Sequence, residues 1–546
     1  MCERCRSWRL GKAIQRAVRK ENTLPRIGYA ARLFYFGGVM NLISKNYFLA
    51  LLAGAACVLC FAPFGFYPLP ILALAVLFTL WLRAESVRAQ VKLGWCFGLG
   101  FFASGVSWIY VALHDYGDMP MYLSLPAIIL FAAFLALLPA LAGYLQARWR
   151  GTPRLKLLLV MPAVWVLVEW LRGFLFTGFP WLTLGYAHSD SALAGFAPVL
   201  GVYGVSLLAA LSAACLALLW QVRWSRAGKF ALLGLLVIWL TGAALRTINW
   251  TQPIGAPFSV ALLQGNIAQD LKFNEDAIVG TLETYRRQIL SSNARLIVLP
   301  ESAFPLLRSE VPAQLIMQIR DHAKLNAGDV LIGSFDKENG RYYNSVFALG
   351  ASENAYATEQ HYRKQHLVPF GEFIPWRDAL GWLINGVLNI PMGDLARGGA
   401  AQYPLALAGQ QVAVNICYED VFGEEIINAL PAATLLVNVT NDAWYGHSIA
   451  AAQHNQISQL RALETGRMML RATNTGVTSI INVDGKIVQQ LAQHEEGVLQ
   501  GSAQGYTGST PYVRWGNYAV VMLLIAMLGV ALLLRKKSPR PLAGEG

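Results

Sequence analysis

Charge is what this sequence is shortest of: Asp, Glu, Lys and Arg make up 14% of its 546 residues, while 55% are hydrophobic. A soluble globular chain carries about 25% charged residues. That deficit, with a mean hydropathy of +0.42, excludes a wholly soluble protein. Cysteine is almost missing where a disulfide would matter. Of Cys2, Cys5, Cys57, Cys60, Cys96, Cys215 and Cys417, only the last lies in the polar stretch 248–512, so that stretch holds no internal disulfide. The pairs Cys2/Cys5 and Cys57/Cys60 have no second Cys or His pair at ligand spacing, which argues against zinc. No phosphate-binding loop or dinucleotide fingerprint occurs. The formal net charge is +12. No basic run interleaved with aromatics accompanies it in the polar stretch, which argues against nucleic acid as partner.

What the chain has in excess is apolar runs. A membrane-crossing helix needs about 20 apolar residues. Candidate spans lie near 47–64, 68–83, 93–113, 121–146, 157–175, 192–220, 229–246 and 517–534. The basic clusters fall after every second run: Arg83, Arg88 and Lys92; Arg148, Arg150, Arg154 and Lys156; Arg223, Arg226 and Lys229; Arg535, Lys536, Lys537 and Arg540. Positive charge marks the cytoplasmic side. About eight spans with both termini cytoplasmic are therefore expected, and the stretch between the seventh and eighth runs lies outside the cell membrane. The expected organisation is a basic extension (1–39), a seven-span membrane domain (40–247), an extracytoplasmic domain (248–512), and a last span with a basic tail (513–546). Residues 1–39 read equally as a cytoplasmic arm and as untranslated leader ahead of Met40.

Within the polar stretch, short β-branched runs alternate with helical patterns. Strands are expected at Phe258–Gln264, Arg295–Leu299, Val330–Ser334, Ser345–Leu349, Val412–Cys417, Thr434–Val439 and Val477–Val483. Helices are expected at Ile278–Leu290, Ala313–Leu325 and Ala451–Met469. Strands apolar on both faces imply sheets covered on each side, hence an α/β fold. Three polar segments interrupt the pattern: Leu299-Pro300-Glu301-Ser302, the run 362–372 with Lys364 and Glu372, and Asn415-Ile416-Cys417-Tyr418-Glu419-Asp420. Cys417, where a strand gives way, is a candidate nucleophile, and a thiol needs a base or a lowered pKa to act. Glu301 is a base of the right type if an apolar site raises it, and Lys364 is a cation suited to a developing oxyanion. Singly, each residue type is commonplace as packing or surface charge.

Together, the order Glu, Lys, Cys in these contexts resembles the nitrilase superfamily, whose Glu-Lys-Cys triad sits on an α-β-β-α sandwich. The strings RKQHLVPFGEFIP (363–375), ICYED (416–420), NDAWYG (441–446), RALE (461–464) and LRATNTG (470–476) are similar, more narrowly, to the apolipoprotein N-acyltransferases. So are Glu169–Gly173 and Thr177–Trp181 in the membrane half, and the resemblance spans about residues 40 to 535. It implies a polytopic α-helical membrane domain joined to a nitrilase-like sandwich, in the bacterial cytoplasmic (inner) membrane. It implies Cys417 as nucleophile, Glu301 as general base and Lys364 as oxyanion stabiliser. Glu372, Tyr418, Glu419 and Trp250 would support them, Trp250 reading equally as an ordinary interface anchor. The implied reaction is ping-pong, without metal or other cofactor. A phospholipid, phosphatidylethanolamine by preference, acylates Cys417, and the α-amine of a diacylglyceryl apolipoprotein cysteine accepts the chain. The apolar insertion 376–398 reads as a mobile lid or a packed insertion, and Glu169 and Arg172 as a structural pair or a headgroup contact. Two rivals remain: an amidase or nitrilase using water as acceptor, and a transporter with an outer domain.

Overall fold

The structure, a computed structural model, describes residues 45–354, 359–375 and 394–535. The basic extension 1–39, residues 376–393 of the expected lid and the basic tail from Lys536 lie outside the described residues.

Among the described residues, the polar stretch forms twelve strands: β1 (Thr251–Gln264), β2 (Leu296–Val298), β3 (Asp329–Glu338), β4 (Arg341–Gly350), β5 (His361–Arg363), β6 (Leu405–Leu407), β7 (Gln410–Ile416), β8 (Leu435–Thr440), β9 (Met469–Thr473), β10 (Ser479–Ile481), β11 (Ile487–Gln490) and β12 (Gly497–Gly508). They build two six-stranded sheets, in the orders β12-β1-β2-β3-β4-β5 and β11-β10-β9-β8-β7-β6. Each has a parallel centre, β1·β2·β3 in one and β7·β8·β9 in the other, flanked by antiparallel strands. The sheets face each other through β1 against β9, and β12 against β8, β10 and β11.

Helices cover the outer faces. Leu282, Tyr285 and Ile289 of a helix Glu275–Leu290, with Leu315 and Ile319 of a helix Ala313–Leu325, bury the apolar face of β1, β2 and β3. Ala462 of the helix Ala450–Thr465 packs with Ala413, Leu436 and Met469 on the second sheet. This is the nitrilase-like α-β-β-α sandwich, and it accounts for strands that are apolar on both faces. All seven expected strands are present. The helix expected over 451–469 ends at Thr465, because Gly466 takes a left-handed cap (φ +63) and Met469 opens β9.

The membrane half comprises a helix Lys45–Cys60, then α1 (Leu69–Arg83), α2 (Val87–Gly105), α3 (Met121–Leu135), α4 (Leu137–Arg148), α5 (Met161–Arg172), α6 (Ala197–Val222) and α7 (Arg226–Leu245), with α8 (Tyr518–Leu533) after the sandwich. Gly94 and Gly98 of α2 lie so close to Pro139 and Ala136 that a methyl group at either would collide with backbone. Small residues allow that approach where no hydrophobic effect drives helices together. Helices occupy all eight expected positions. Among the described residues, three stretches are long and apolar enough to cross a membrane: Met121–Arg148, Ala192–Val222 and Arg226–Leu245. The others fall short for simple reasons. The 16 residues of Tyr518–Leu533 reach about 24 Å against a hydrocarbon core of about 30 Å. Val87–Gly105 carries Arg88, Gln90 and Lys92 in its first turns.

Candidate active site

The carboxyl ends of the two parallel centres lie side by side; Glu301 and Cys417 come off them, and Lys364 follows the edge strand β5. β7 ends at Ile416, and Cys417, with a φ of +54°, turns the chain sharply into a 3-10 turn, Cys417–Val421. A side-chain-bearing residue rarely adopts that conformation, and here polar neighbours fix it. The Cys417 carbonyl accepts from Asn438 Nδ2 (3.1 Å) and lies 3.2 Å from His454 Nε2. His454 is itself clamped between Asp442 and Asp420, each at 2.9 Å, and Arg471 bonds both aspartates from the far side. Burial and Arg471 push the His454 imidazole down, but the two aspartates outweigh them and raise it above the usual histidine range.

Glu301 follows β2 on a turn whose next residue, Ser302, has φ +45°. Its carboxylate is 7% exposed and fully engaged: Oε1 accepts from Asn344 Nδ2 (2.7 Å) and Lys364 Nζ (3.3 Å), and Oε2 from the Asn441 N–H (2.9 Å). Lys364, just after β5 and 1% exposed, also donates to Glu372 Oε1 at 2.9 Å. Glu372 Oε2 in turn accepts from the Val368 N–H at 2.9 Å.

The electrostatics run opposite to a resting thiolate. Burial pushes the Cys417 thiol well above its usual range and Glu301 adds to it, against the opposing pull of Lys364. Burial alone would also raise Glu301. Lys364, Asn344 and Lys272 outweigh it and hold the carboxyl below the usual glutamate range. Burial likewise works against the Lys364 ammonium, but Glu301 and Glu372 raise it well above the usual lysine range. The resting site is therefore thiol, carboxylate and ammonium, all three buried.

Glu419 joins two of the segments. Its Oε1 accepts from the N–H groups of Gln365 (2.7 Å) and His366 (3.0 Å), and its Oε2 from the N–H of Ile416 (2.6 Å). The Tyr362 hydroxyl reaches both oxygens at 3.0 Å. The residue thus ties the backbone beside Lys364 to the backbone beside Cys417. Burial pushes its carboxyl up to about 7, and the N–H donors pull the other way. Glu419→Gln aims an NH2 group at donors and leaves some of them unpaired. A loss of about 1–3 kcal/mol of stability is expected, read as a lower melting temperature together with slower turnover. An unchanged melting temperature and rate would mean that these bonds do not hold the site together.

Tyr418 points the other way, into the membrane half. Its hydroxyl donates to the Gly178 carbonyl at 3.2 Å and its ring stacks on Trp181 (6.2 Å, 13°). Trp181 and Trp108 both donate to Gln453 Oε1, at 2.8 and 3.1 Å, and the Tyr186 hydroxyl donates to the Val421 carbonyl at 3.2 Å. Gly201 (φ +66°) breaks α6, and the Val202 N–H beyond the break donates to Glu464 Oε1 at 2.6 Å, so a carboxylate of the sandwich caps a membrane helix. Glu169 and Arg172 serve the same seam. Glu169 accepts from the Leu184 N–H (3.2 Å), and Arg172 donates to the carbonyls of Phe179 (2.7 Å) and Trp181.

Glu301, Lys364, Glu372, Cys417 and Glu419 are thus brought together, while the Tyr418 side chain turns to the membrane half. Trp250 is not among them: it precedes β1, at the opposite end of that strand from the loop leading toward Glu301. Sequence reasoning missed Asn344, Asn441, His454, Arg471 and Lys272. NDAWYG and LRATNTG signalled two of these as strings without giving them a role. Lys272, a lone lysine in the turn after β1, gave no signal.

Two family models match: the apolipoprotein N-acyltransferase N-terminal domain over residues 53–215 and carbon-nitrogen hydrolase over 259–512. An apolipoprotein N-acyltransferase from Nitrosomonas europaea is 50% identical over 88% of this chain and 95% of its own length. Namesakes from Ralstonia nicotianae and Methylococcus capsulatus are 44% and 42% identical, each over 90% of this chain and over 94% and 97% of their own lengths. The chain belongs to the apolipoprotein N-acyltransferase family. Membership in that family makes it an acyltransferase on a carbon-nitrogen hydrolase fold. The break between the two models, 216–258, holds the end of α6, α7 and the start of β1.

Proposed function

We propose that this chain N-acylates bacterial apolipoproteins by a ping-pong reaction through a thioester on Cys417, with Glu301 as proton-transfer base and Lys364 as oxyanion stabiliser. The observation that carries the reading is the placement of Lys364 between two buried carboxylates in the field of Cys417, so that cation, base and thiol share one pocket. The thiol gives its proton to Glu301 as sulfur attacks the ester carbonyl of a phospholipid. Lys364 offsets the charge that develops on that carbonyl oxygen. The C–O bond breaks, and the leaving lysophospholipid oxygen takes the proton back from Glu301. The α-amine of a diacylglyceryl cysteine then attacks the thioester and passes a proton to Glu301. The C–S bond breaks, an amide is left on the acceptor, and the proton returns to sulfur. Glu372 orients Lys364, Glu419 keeps the cation and nucleophile segments in register, and Trp250 anchors the link at the membrane surface.

The membrane setting suits two lipid substrates. We read residues 40–247 and 513–546 as about eight spans, the shorter helices completing those that cross alone. The sandwich 248–512 then lies outside the inner membrane and both ends lie in the cytoplasm, in accord with the alternating basic clusters. Tyr418, adjacent to the nucleophile and bonded to Gly178, supports a site held against the membrane half. The donor we favour is phosphatidylethanolamine.

The test is the intact mass of the purified protein after incubation with phosphatidylethanolamine, before and after neutral hydroxylamine. A hydroxylamine-labile acyl adduct mapping to Cys417 is expected. Phospholipid left intact with no adduct would overturn the reading, and an adduct that only water discharges, whatever lipoprotein is supplied, would make the chain a hydrolase.

A further inference from the structure

A second lysine enters the site from an unexpected direction. Lys272 lies in the turn between β1 and the helix Glu275–Leu290, where Leu271 is 48% exposed and Phe273 36%. Lys272 itself is 1% exposed. Its ammonium donates to the main-chain carbonyl of Glu301 at 3.0 Å, one residue ahead of the left-handed Ser302. Burying a lysine next to two exposed apolar side chains is costly in desolvation unless a counter-charge offsets it. A neutral side chain would fill that volume with less penalty.

The charges of the pocket supply the reason. The groups facing Glu301 are Lys364 from the end of β5, Lys272 from the turn and Cys417 from the end of β7. Glu372 faces it across the shared Lys364. With the thiol protonated, Glu301 and Glu372 carry two negative charges and Lys364 one positive charge, which it divides between them at 3.3 and 2.9 Å. Glu301, Glu372 and Lys364 alone are then one positive charge short, and Lys272 brings it; Glu419, which also faces Lys364, is held by backbone N–H groups, and Asp442, which faces Cys417, by His454 and Arg471. Burial lowers the Lys272 ammonium to about 8, with Glu301 and Cys417 holding it up, so near neutral pH it remains predominantly protonated.

We propose that Lys272 is a positioning residue for the base: it fixes the Glu301 main chain and supplies the second positive charge that keeps the Glu301 carboxylate free to accept the thiol proton. The proposal rests on the Cys417–Glu301 reading given above. Without Lys272, Glu301 binds a proton at higher pH, and the site loses its base as the medium is acidified. A lysine serving only as a tether would slow the enzyme equally at every pH.

The experiment measures the rate of acyl-enzyme formation on Cys417 from phosphatidylethanolamine in mixed micelles, between pH 5.5 and 8, for the full-length wild type, Lys272→Arg and Lys272→Met. This half-reaction leaves out the acceptor amine and its own titration. The wild type is the control for the mechanism: if it forms no adduct on Cys417, the thioester reading fails and Lys272 is not the cause. Given a wild-type adduct, Lys272→Met is expected to acylate about tenfold more slowly at pH 8, and the deficit is expected to grow by at least about another tenfold at pH 5.5, since an acid limb falls tenfold per pH unit below the base's pKa. Lys272→Arg, which keeps the charge, is expected to show a ratio to wild type that does not change between pH 5.5 and 7, where Lys272 itself stays charged. A Lys272→Met deficit that is the same at both pH values would overturn the proposal. If Lys272→Met does not fold, Lys272→Gln takes its place, with the same two outcomes.

Discussion

Replacing Cys417 with alanine is expected to lower acyl transfer by at least about 10⁴-fold, the scale on which removal of a catalytic nucleophile is felt, while the protein stays folded in the membrane. Geometry makes the contrast clean. The strained φ of +54° is set by the backbone and by Asn438 and His454 at the Cys417 carbonyl. Alanine has the same Cβ and keeps those contacts, so the turn is no worse off. Only the sulfur goes, a small buried atom worth about 1 kcal/mol in packing. Cys417→Ser is expected to be nearly as inactive. Glu301 is held below the usual glutamate range, too weak a base to activate a hydroxyl that is far less acidic than a thiol. Acyl transfer to lipoprotein and the melting temperature, measured on the same preparation, check both variants. Transfer at the wild-type rate by Cys417→Ala would remove the thioester from the mechanism, whatever the rest of the pocket looks like.

Two of the residues that the sequence disclosed, Glu301 and Cys417, each lie just beyond the end of a central strand. Glu301 follows Leu296–Val298 and Cys417 follows Gln410–Ile416, and in both cases the strand is visible because it is buried on both faces. Lys364 and Glu372 were legible as a pair because they lie eight residues apart in one segment. The groups that hold these residues in place act over much longer separations. Asp442 and Arg471 are 29 residues apart, Asp420 and His454 are 34, and Trp181 and Gln453 are 272. Side chains this distant in sequence carry no periodicity to betray their contact. Some strands were hidden for a related reason. β9 contains Arg471, whose charge disguises a fully buried strand until Asp420 and Asp442 are seen beside it. β12 holds four glycines and pairs along nearly all of β1, so its neighbour supplies the order that its own composition does not. Lys272 is the extreme case: a turn lysine flanked by exposed residues reads as solvated, and only the fold turns it inward.

Lys364→Met is expected to lose both activity and stability, and pH separates the two. Removing the cation takes away the stabilisation of the oxyanion, about 10²–10³-fold in rate. It also leaves Glu301 and Glu372 facing each other in a buried pocket, and breaking a buried pair from one side costs about 3–5 kcal/mol. In the wild type, Glu301 is depressed, so its contribution to stability is present above its unfolded pKa and is lost only as pH falls through the folded one. Lys364 is raised, so its contribution is complete below its unfolded pKa and is lost only at strongly alkaline pH. Between about pH 5 and 9 the wild type therefore keeps both contributions. In Lys364→Met the sign for Glu301 reverses. Burial, already its largest single influence, is no longer outweighed, so the carboxyl rises above its unfolded value and its ionised form then weighs against the native state as pH rises. The gap in melting temperature between wild type and variant should accordingly be small near pH 5 and widen toward pH 8. Adding Glu301→Gln removes the stranded charge, so the double variant Lys364→Met/Glu301→Gln should regain much of the lost melting temperature at pH 8 and none of the activity. A gap that is constant with pH, or a double variant no more stable than Lys364→Met, would show that the lysine stabilises the fold through packing rather than through its charge.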